Sequence, residues 1–189
     1  MRIQHRYSPT RYAVALLATA VSVGTVAGCD QQVTSRSAPR STSTAEVTRP
    51  MPSGSSAQQQ VLAAYNGMWS AMSAAAESSD PTAPALSRHA TDFALDKITR
   101  GLRIDNDNGV VTRGAVKTAP TITELTPPQD PREARVADCG DDGETAKYTR
   151  AGARVPDSNG GRRKIQARLK LVGDRWLVTD FAMLAVGSC

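Results

Sequence analysis

The chain has 189 residues, of which 40% are hydrophobic and 22% charged, and its formal net charge is +5. Three of the 23 basic residues, Arg2, Arg6 and Arg11, precede the first acid, Asp30, which leaves 20 basic against 18 acidic residues beyond residue 28. Nucleic-acid-binding domains concentrate basic charge on one face. So balanced a chain therefore argues against a nucleic-acid partner.

The first 28 residues have the pattern of an export signal. After the basic start, residues 12–26 are almost all small or apolar. About 15 such residues suit the core of a signal peptide and fall short of the ~20 that span a bilayer as a helix. The run ends in Val26-Ala27-Gly28-Cys29, which resembles the lipobox of bacterial lipoproteins.

This resemblance implies cleavage before Cys29 and a diacylglyceryl group, with fatty acids such as palmitate, on its thiol. Membrane lipid is then a partner, and the protein is held at the extracytoplasmic face of the cell membrane. The alternative is an ordinary secretory signal cut nearby, with Cys29 as a free thiol. Arginine far outnumbers lysine, a bias that GC-rich codons produce, so we expect an actinobacterial source.

Residues 29–57 are rich in Ser, Thr, Pro and Gly and contain no aromatic residue. Such a segment buries too little apolar surface to offset the entropy of ordering. It predicts a flexible linker between the lipid and the rest of the chain, the alternative being that it folds onto the domain. Residues 58–189 have the length of one domain with a single core.

Two helices are predicted at the start of this domain. The first runs from about 57 to 77, and its apolar stripe comprises Val61, Leu62, Tyr65, Met68, Trp69 and Met72. The second runs from about 83 to 104, with a stripe of Leu86, Ala90, Phe93, Leu95, Ile98 and Leu102. Both follow the spacing of an amphipathic helix. The sequence "DNDNG" at 105–109 ends the second helix.

Beyond Gly109 apolar residues recur at every second position, which indicates strands. Residues 110–125 predict a bent or bulged strand pair, 132–139 a strand, and 144–150 a short neighbour. The clearest signal is 163–171, where Ile165, Ala167, Leu169 and Leu171 share one face while Gln166, Arg168 and Lys170 share the other. Gly173-Asp174 then turns into a partner strand. The order predicts an α+β domain with its helices packed on a curved antiparallel sheet.

The sequences "YNGMW", "VADCGDD" and "GDRWLVTDF" resemble those of small secreted actinobacterial lipoproteins of the NTF2-like (SnoaL-type) group. The resemblance implies that residues 58–189 fold as a cone with one cavity. It implies little about chemistry, because the group shares a fold and has many unrelated roles. Enzymes of the group place an Asp, His or Tyr deep in the cone, and no such pair stands out here.

Two cysteines, Cys139 and Cys189, remain besides Cys29. In an oxidising exterior two thiols most simply pair, and the bond would hold residue 189 to a strand. Metal binding is the alternative. It is disfavoured because neither cysteine has a Cys or His at ligand spacing.

Candidates for a pocket are Tyr65, Trp69, His89 and Phe93. His89 is the only histidine beyond residue 28 and could act as a cavity acid or base, since its ordinary pKa is near neutrality. The alternative is that it packs at the edge of the core. Tyr65 and Trp69 could line a ligand pocket or simply fill the core.

Two acidic runs invite a calcium interpretation: "DCGDDGE", with Asp138, Asp141, Asp142 and Glu144, and "DNDNG", with Asp105 and Asp107. Neither completes the EF-hand pattern, so we interpret both as turns. The basic cluster Arg162-Arg163-Lys164 could touch anionic headgroups or could be a solvated strand end. No phosphate loop, nucleophile elbow or zinc-protease motif occurs, and no metal or cofactor is predicted.

Three functions are consistent with these features. The first is a non-catalytic, lipid-anchored module that binds a small apolar ligand or an envelope protein. The second is an envelope accessory or scaffold protein. The third is a cavity enzyme that transfers a proton through His89 or a buried Asp96. We predict the first, and therefore that the protein is not an enzyme.

Overall fold

The computed structural model describes residues 54–157 and 159–189. The predicted signal peptide, the lipobox-like sequence at Val26–Cys29 and residues 29–53 of the predicted linker lie outside these residues, so the predictions for them remain predictions. In the part of the chain that is described, no helix combines the length and the apolar character needed to cross a membrane.

The first helix, α1, spans Gly54–Ala76, which confirms a helix in this region. It begins three residues earlier than predicted, so residues 54–57 are helical and not part of a flexible linker. Four residues of its apolar stripe are buried as the helical period requires, with Val61 and Tyr65 fully enclosed and Met68 and Trp69 nearly so. Leu62, also predicted in the stripe, is only partly buried. Met72 is partly buried against the same core. The chain turns after Ala76, and Ser79 takes a left-handed conformation with φ of 52°.

The second predicted helix is two helices, so the prediction of one continuous element is wrong. A short helix, α2, spans Leu86–His89 and a longer one, α3, spans Asp92–Asp107. Between them the Thr91 amide donates a hydrogen bond of 2.9 Å to the carbonyl of Val178, a residue of the last strand. This tertiary hydrogen bond holds residues 90–91 in an extended conformation and interrupts the helix.

The break also removes Phe93 from the predicted apolar stripe. The helix that restarts at Asp92 buries Ala94, Ile98 and Leu102, which follow one another at a spacing of four. Phe93 precedes this stripe by one position and is 74% exposed. Its side chain therefore faces solvent, contrary to the prediction.

Six strands follow the helices: β1 (Val110–Arg113), β2 (Thr121–Thr126), β3 (Glu133–Asp141), β4 (Ala146–Thr149), β5 (Arg162–Val172) and β6 (Arg175–Met183). Four of them form an antiparallel sheet in the order β2-β3-β5-β6. The predicted hairpin of β5 and β6 is confirmed, with Gly173 in the left-handed conformation at the turn (φ 63°). The predicted α+β class is thereby confirmed.

The strand pair predicted at residues 110–125 is not a pair. β1 instead pairs with β4 in a separate two-stranded sheet, and β2 pairs with β3. Gly114, with φ of 91°, lies where the chain leaves β1 and passes close to the carbonyl of Glu144. The predicted irregularity is present as a register shift in β2 between Ile122 and Glu124, and a bulge of this kind bends a strand.

One face of the four-stranded sheet and the helices enclose the core. Ile165, Ala167 and Leu169 of β5 are buried as predicted, and Leu171 packs at the edge of the cluster. A disulfide joins Cys139 of β3 to Cys189, with 6.0 Å between their Cα atoms, which confirms the predicted pairing. The bond holds the end of the chain against the strand on which Cys139 lies.

Candidate functional site

The four residues predicted as a pocket do not come together. Tyr65 and Trp69 lie in the core with their rings edge to face and centroids 6.2 Å apart, and Trp69 meets Phe181 in the same way at 5.5 Å. Both side chains fill the space between α1 and the sheet. Phe93 lies on the outside of α3, and His89, the last residue of α2, is half-buried against Gly67 of α1.

A buried hydrogen-bonded carboxylate joins α1 to the sheet. Asp138 of β3 is 6% exposed and accepts hydrogen bonds from the Tyr65 hydroxyl at 2.9 Å and from the Ala119 amide at 2.8 Å. Burial raises the pKa of the Tyr65 hydroxyl, and the hydrogen bond to Asp138 raises it further. Because each carboxylate oxygen accepts one of these bonds, Asp138 connects α1 and the segment before β2 to the sheet.

His89 packs on α1 at Gly67. A Cβ atom added to Gly67 would lie only 2.5 Å from the Cε1 and Nδ1 atoms of the imidazole, so the glycine of "YNGMW" makes room for this ring. Burial lowers the pKa of His89, and the charges of Arg88 and Arg175 lower it further. The neutral imidazole is therefore favoured in the folded protein.

We expect this histidine to make stability depend on pH. Between the folded pKa and the unfolded value of about 6.5, the unfolded chain binds a proton that the folded chain does not. The contribution of neutral His89 to the free energy of unfolding is therefore present above the unfolded pKa and is lost as the pH falls from there through the folded pKa. Free energies of unfolding measured in urea from about pH 8 to pH 5 should fall more for the wild type than for His89→Gln. An equal decline in both proteins would contradict the assignment.

The acids of "DCGDDGE" point to different partners. Asp138 enters the core, and the Asp141 carboxylate caps the amide of Gly143 at 2.8 Å. Asp142 pairs with Arg163 at 3.1 Å, and Glu144 pairs with Lys117. Within residues 54–157 and 159–189, no three His, Cys, Asp or Glu side chains are grouped as metal ligands would be.

The second acidic run joins α3 to the small sheet. Asp105 pairs with Lys147 of β4 at 2.7 Å. Asn106 donates to the carbonyl of Ser79 at 3.0 Å and accepts from Arg150 at 3.2 Å. These contacts hold the end of the helix in place. In the basic cluster 162–164, Arg163 is half-buried in its ion pair with Asp142.

An open groove of about 780 Å³ lies between the first turn of α3 and the four-stranded sheet. Its charged sheet residues alternate with core residues: Arg135 lies between buried Ala134 and Val136, and Arg168 between buried Ala167 and Leu169. This part of the groove therefore occupies the sheet face opposite the core. The lining comprises Asp92, Phe93, Asp96, Glu124, Thr126, Glu133, Ala134, Arg135, Arg168, Leu169, Lys170, Thr179 and Asp180.

Most charges of this groove are paired. Across the sheet, Glu124 binds Arg135 at 2.8 Å and Glu133 binds Lys170 at 3.4 Å. Along α3, Asp96 pairs with Arg100, and Lys97 reaches Asp180 of β6 at 3.3 Å. Two lining residues of opposite sign, Asp92 and Arg168, make no ion pair with any described residue.

Two further features mark the α3 side of the groove. Asp92 has φ of 49°, a left-handed conformation that residues other than glycine seldom adopt and that often marks functional positions. Phe93 beside it exposes most of its ring. The sequence had placed Arg168 and Lys170 on the outer strand face, but nothing in it indicated that α3 would face them. Asp96, proposed as a buried acid, lies in this groove with its side chain 59% exposed.

No protein-family model matches this sequence, and no curated protein matches it. Among solved structures, the intermembrane space region of the chloroplast protein ARC6 is similar, with 13% identity and a TM-score of 0.49 over 72% of this chain and 99% of that one. An NTF-2 like protein of unknown function from Shewanella oneidensis has 12% identity and a TM-score of 0.41, over 67% and 98%. With both TM-scores below 0.5, neither likeness assigns a family or an activity to this chain.

Proposed function

We propose that this protein is a lipid-anchored module of the extracytoplasmic membrane face, with an NTF2-like domain that binds its ligand without catalysis. The observation that carries the binding role is the groove between α3 and the outer sheet face. It combines an exposed aromatic ring, a left-handed Asp92 and unpaired charges of both signs. Its volume lies within the range of small-molecule sites.

The packing of interior side chains supports binding at this outer groove and not in the internal cavity that the NTF2-like resemblance implied. Tyr65, Trp69 and Phe181 pack together between helix and sheet, and Asp138 is engaged by two donors. The groove is lined mainly by charged side chains. This lining favours a polar ligand over the small apolar ligand expected from a cone cavity.

The arrangement of titratable groups favours a non-catalytic role. His89 packs against Gly67 of α1 and is not part of the groove lining. Asp96 is exposed and is neutralised by Arg100 one turn along α3. An acid or base for proton transfer is expected to be partly desolvated and free of such a counter-ion.

The anchor is tested by labelling. Cells expressing the wild-type chain and fed an alkyne-tagged fatty acid should yield a labelled protein in the membrane fraction. Cys29→Ser should lose the label and either leave the membrane or keep its signal peptide, because only the thiol of Cys29 can carry the lipid. Cys139→Ser serves as the control and should retain the label. An unlabelled wild type would refute the anchor.

The binding role of the groove is tested by identifying molecules that remain bound to the full chain after purification. Native mass spectrometry of the protein purified from its host membranes in mild detergent should detect a bound species. Phe93→Ser should lose it, because the ring is the main apolar contact that the groove offers. The matched control is Ile104→Ser, which removes an exposed apolar side chain (55% exposed) of the same helix outside the groove. Equal occupancy in both variants would place the binding site elsewhere.

A further inference from the structure

The two unpaired charges of the groove indicate the class of ligand that it takes. We propose that the groove binds a short zwitterionic peptide, whose carboxylate is held by Arg168 and whose ammonium group is held by Asp92. This inference rests on the groove being the binding site proposed above, and it adds the chemistry of the ligand.

The chain brings these two residues to one short stretch of β6. The Thr91 amide donates to the carbonyl of Val178, which places Asp92 beside that residue. Arg168 is in register with Asp180, only two positions further along the same strand. Thr179 lies between them at the bulge and also lines the groove. One small dipolar ligand can therefore contact both charges.

Arg168 lacks a counter-ion because its neighbours are already engaged. Its register partner on β6, Asp180, is bound by Lys97 at 3.3 Å. Its register partner on β3 is Arg135, and like charges directly opposite on one sheet face repel. A carboxylate on Arg168 would relieve this repulsion, and guanidinium binds carboxylate through two parallel hydrogen bonds.

The α3 side of the groove, where Asp92 lies, suits a cation next to an apolar group. Asp92 is exposed and unpaired, and the adjacent Phe93 ring is 74% exposed, so an ammonium group and an apolar side chain of a peptide would meet complementary groups. The groove is lined by five acids and three bases. This balance disfavours polyanions and suits a ligand that carries both signs of charge.

The test uses the full chain in detergent and three probes: trialanine, N-acetyl-trialanine and trialanine amide. Titrations followed by ¹H–¹⁵N chemical shifts should show trialanine binding with a dissociation constant in the millimolar range, and each blocked peptide binding more weakly. Arg168→Met should weaken trialanine at least about fivefold, as expected for the loss of one accessible charge-assisted contact. Asp92→Asn should weaken it similarly.

Matched controls are Arg103→Met and Asp107→Asn, which change exposed residues of α3 outside the groove and should leave the affinity unchanged. All four positions are exposed, so the variants should fold, and unchanged shifts in the core would verify this. Equal binding of the three probes, with shifts in the groove, would refute zwitterion recognition and leave the groove intact as a binding site. No binding of trialanine, or equal effects of the control variants, would also overturn the proposal.

Discussion

Replacing Cys139 by alanine is expected to lower the free energy of unfolding by about 2–4 kcal/mol, and replacing Cys189 should have the same effect. The bond closes a loop between residues 50 positions apart, for which the chain-entropy account gives roughly 4 kcal/mol as an upper value. Either substitution opens the same loop, so the double variant should be no less stable than either single one. Urea unfolding under oxidising conditions measures all three.

The reduced wild-type protein provides the control for this series. It should unfold at the same urea concentration as the double variant, because both lack the covalent link while keeping the rest of the fold. Losses that add together in the double variant would show that the two residues act separately, and the pairing of Cys139 with Cys189 would then be wrong.

Asp138→Ala is expected to be the next most damaging single change, because it removes the acceptor for two buried donors. The Tyr65 hydroxyl and the Ala119 amide would both lose their partner, and each buried group left unpaired costs about 1–3 kcal/mol. Tyr65→Phe removes only one hydrogen bond and should therefore cost less than Asp138→Ala. The free energy of unfolding of both single variants and the double variant would be measured in urea.

A double-mutant cycle separates this contact from general effects of each substitution. The Tyr65–Asp138 pair should show a coupling of at least about 0.5 kcal/mol, since the two residues share one hydrogen bond. Asp107→Ala removes an exposed carboxylate and should change stability by no more than about 0.5 kcal/mol. Strictly additive effects of Tyr65→Phe and Asp138→Ala would show that the hydrogen bond contributes nothing.

The parts of the fold that the sequence predicted well are those governed by local pattern. Helix α1 has a long apolar stripe, and the hairpin of β5 and β6 has strict alternation around Gly173-Asp174. Burial then follows from spacing alone, as Tyr65 and Ile165 show. The pairing of Cys139 with Cys189 was predictable because the other cysteine, Cys29, had a separate role assigned to it.

The parts that failed depend on contacts between distant segments. The helix break at residues 90–91 arises from a hydrogen bond to Val178, which no local pattern encodes. The pairing of β1 with β4, three strands further along the chain, could not be predicted from the alternation of either strand. Phe93 was wrongly predicted to be buried for the same reason, because a different set of α3 residues faces the core once the helix restarts at Asp92.

The groove could not be predicted from the sequence either, because it also depends on a contact between distant segments. Sequence spacing placed Arg168 and Lys170 together on one strand face, but an exposed charged face is the ordinary outer surface of a sheet. What distinguishes it is the first turn of α3, which faces those residues only because Thr91 is bound to β6. The candidate site therefore depends on the same hydrogen bond that ended the predicted helix early.

Residues 90–91 also bear on self-association. An open sheet edge is a template on which a strand of another molecule can add. On one edge of the four-stranded sheet, the Thr91 amide donates a hydrogen bond to the Val178 carbonyl, and α3 packs against β6. On the other edge, β2 is short, carries a bulge and is flanked by Pro120 and Pro127. The four-stranded sheet therefore offers a second copy of this domain no long, straight edge on which to add a strand, which disfavours association through this sheet.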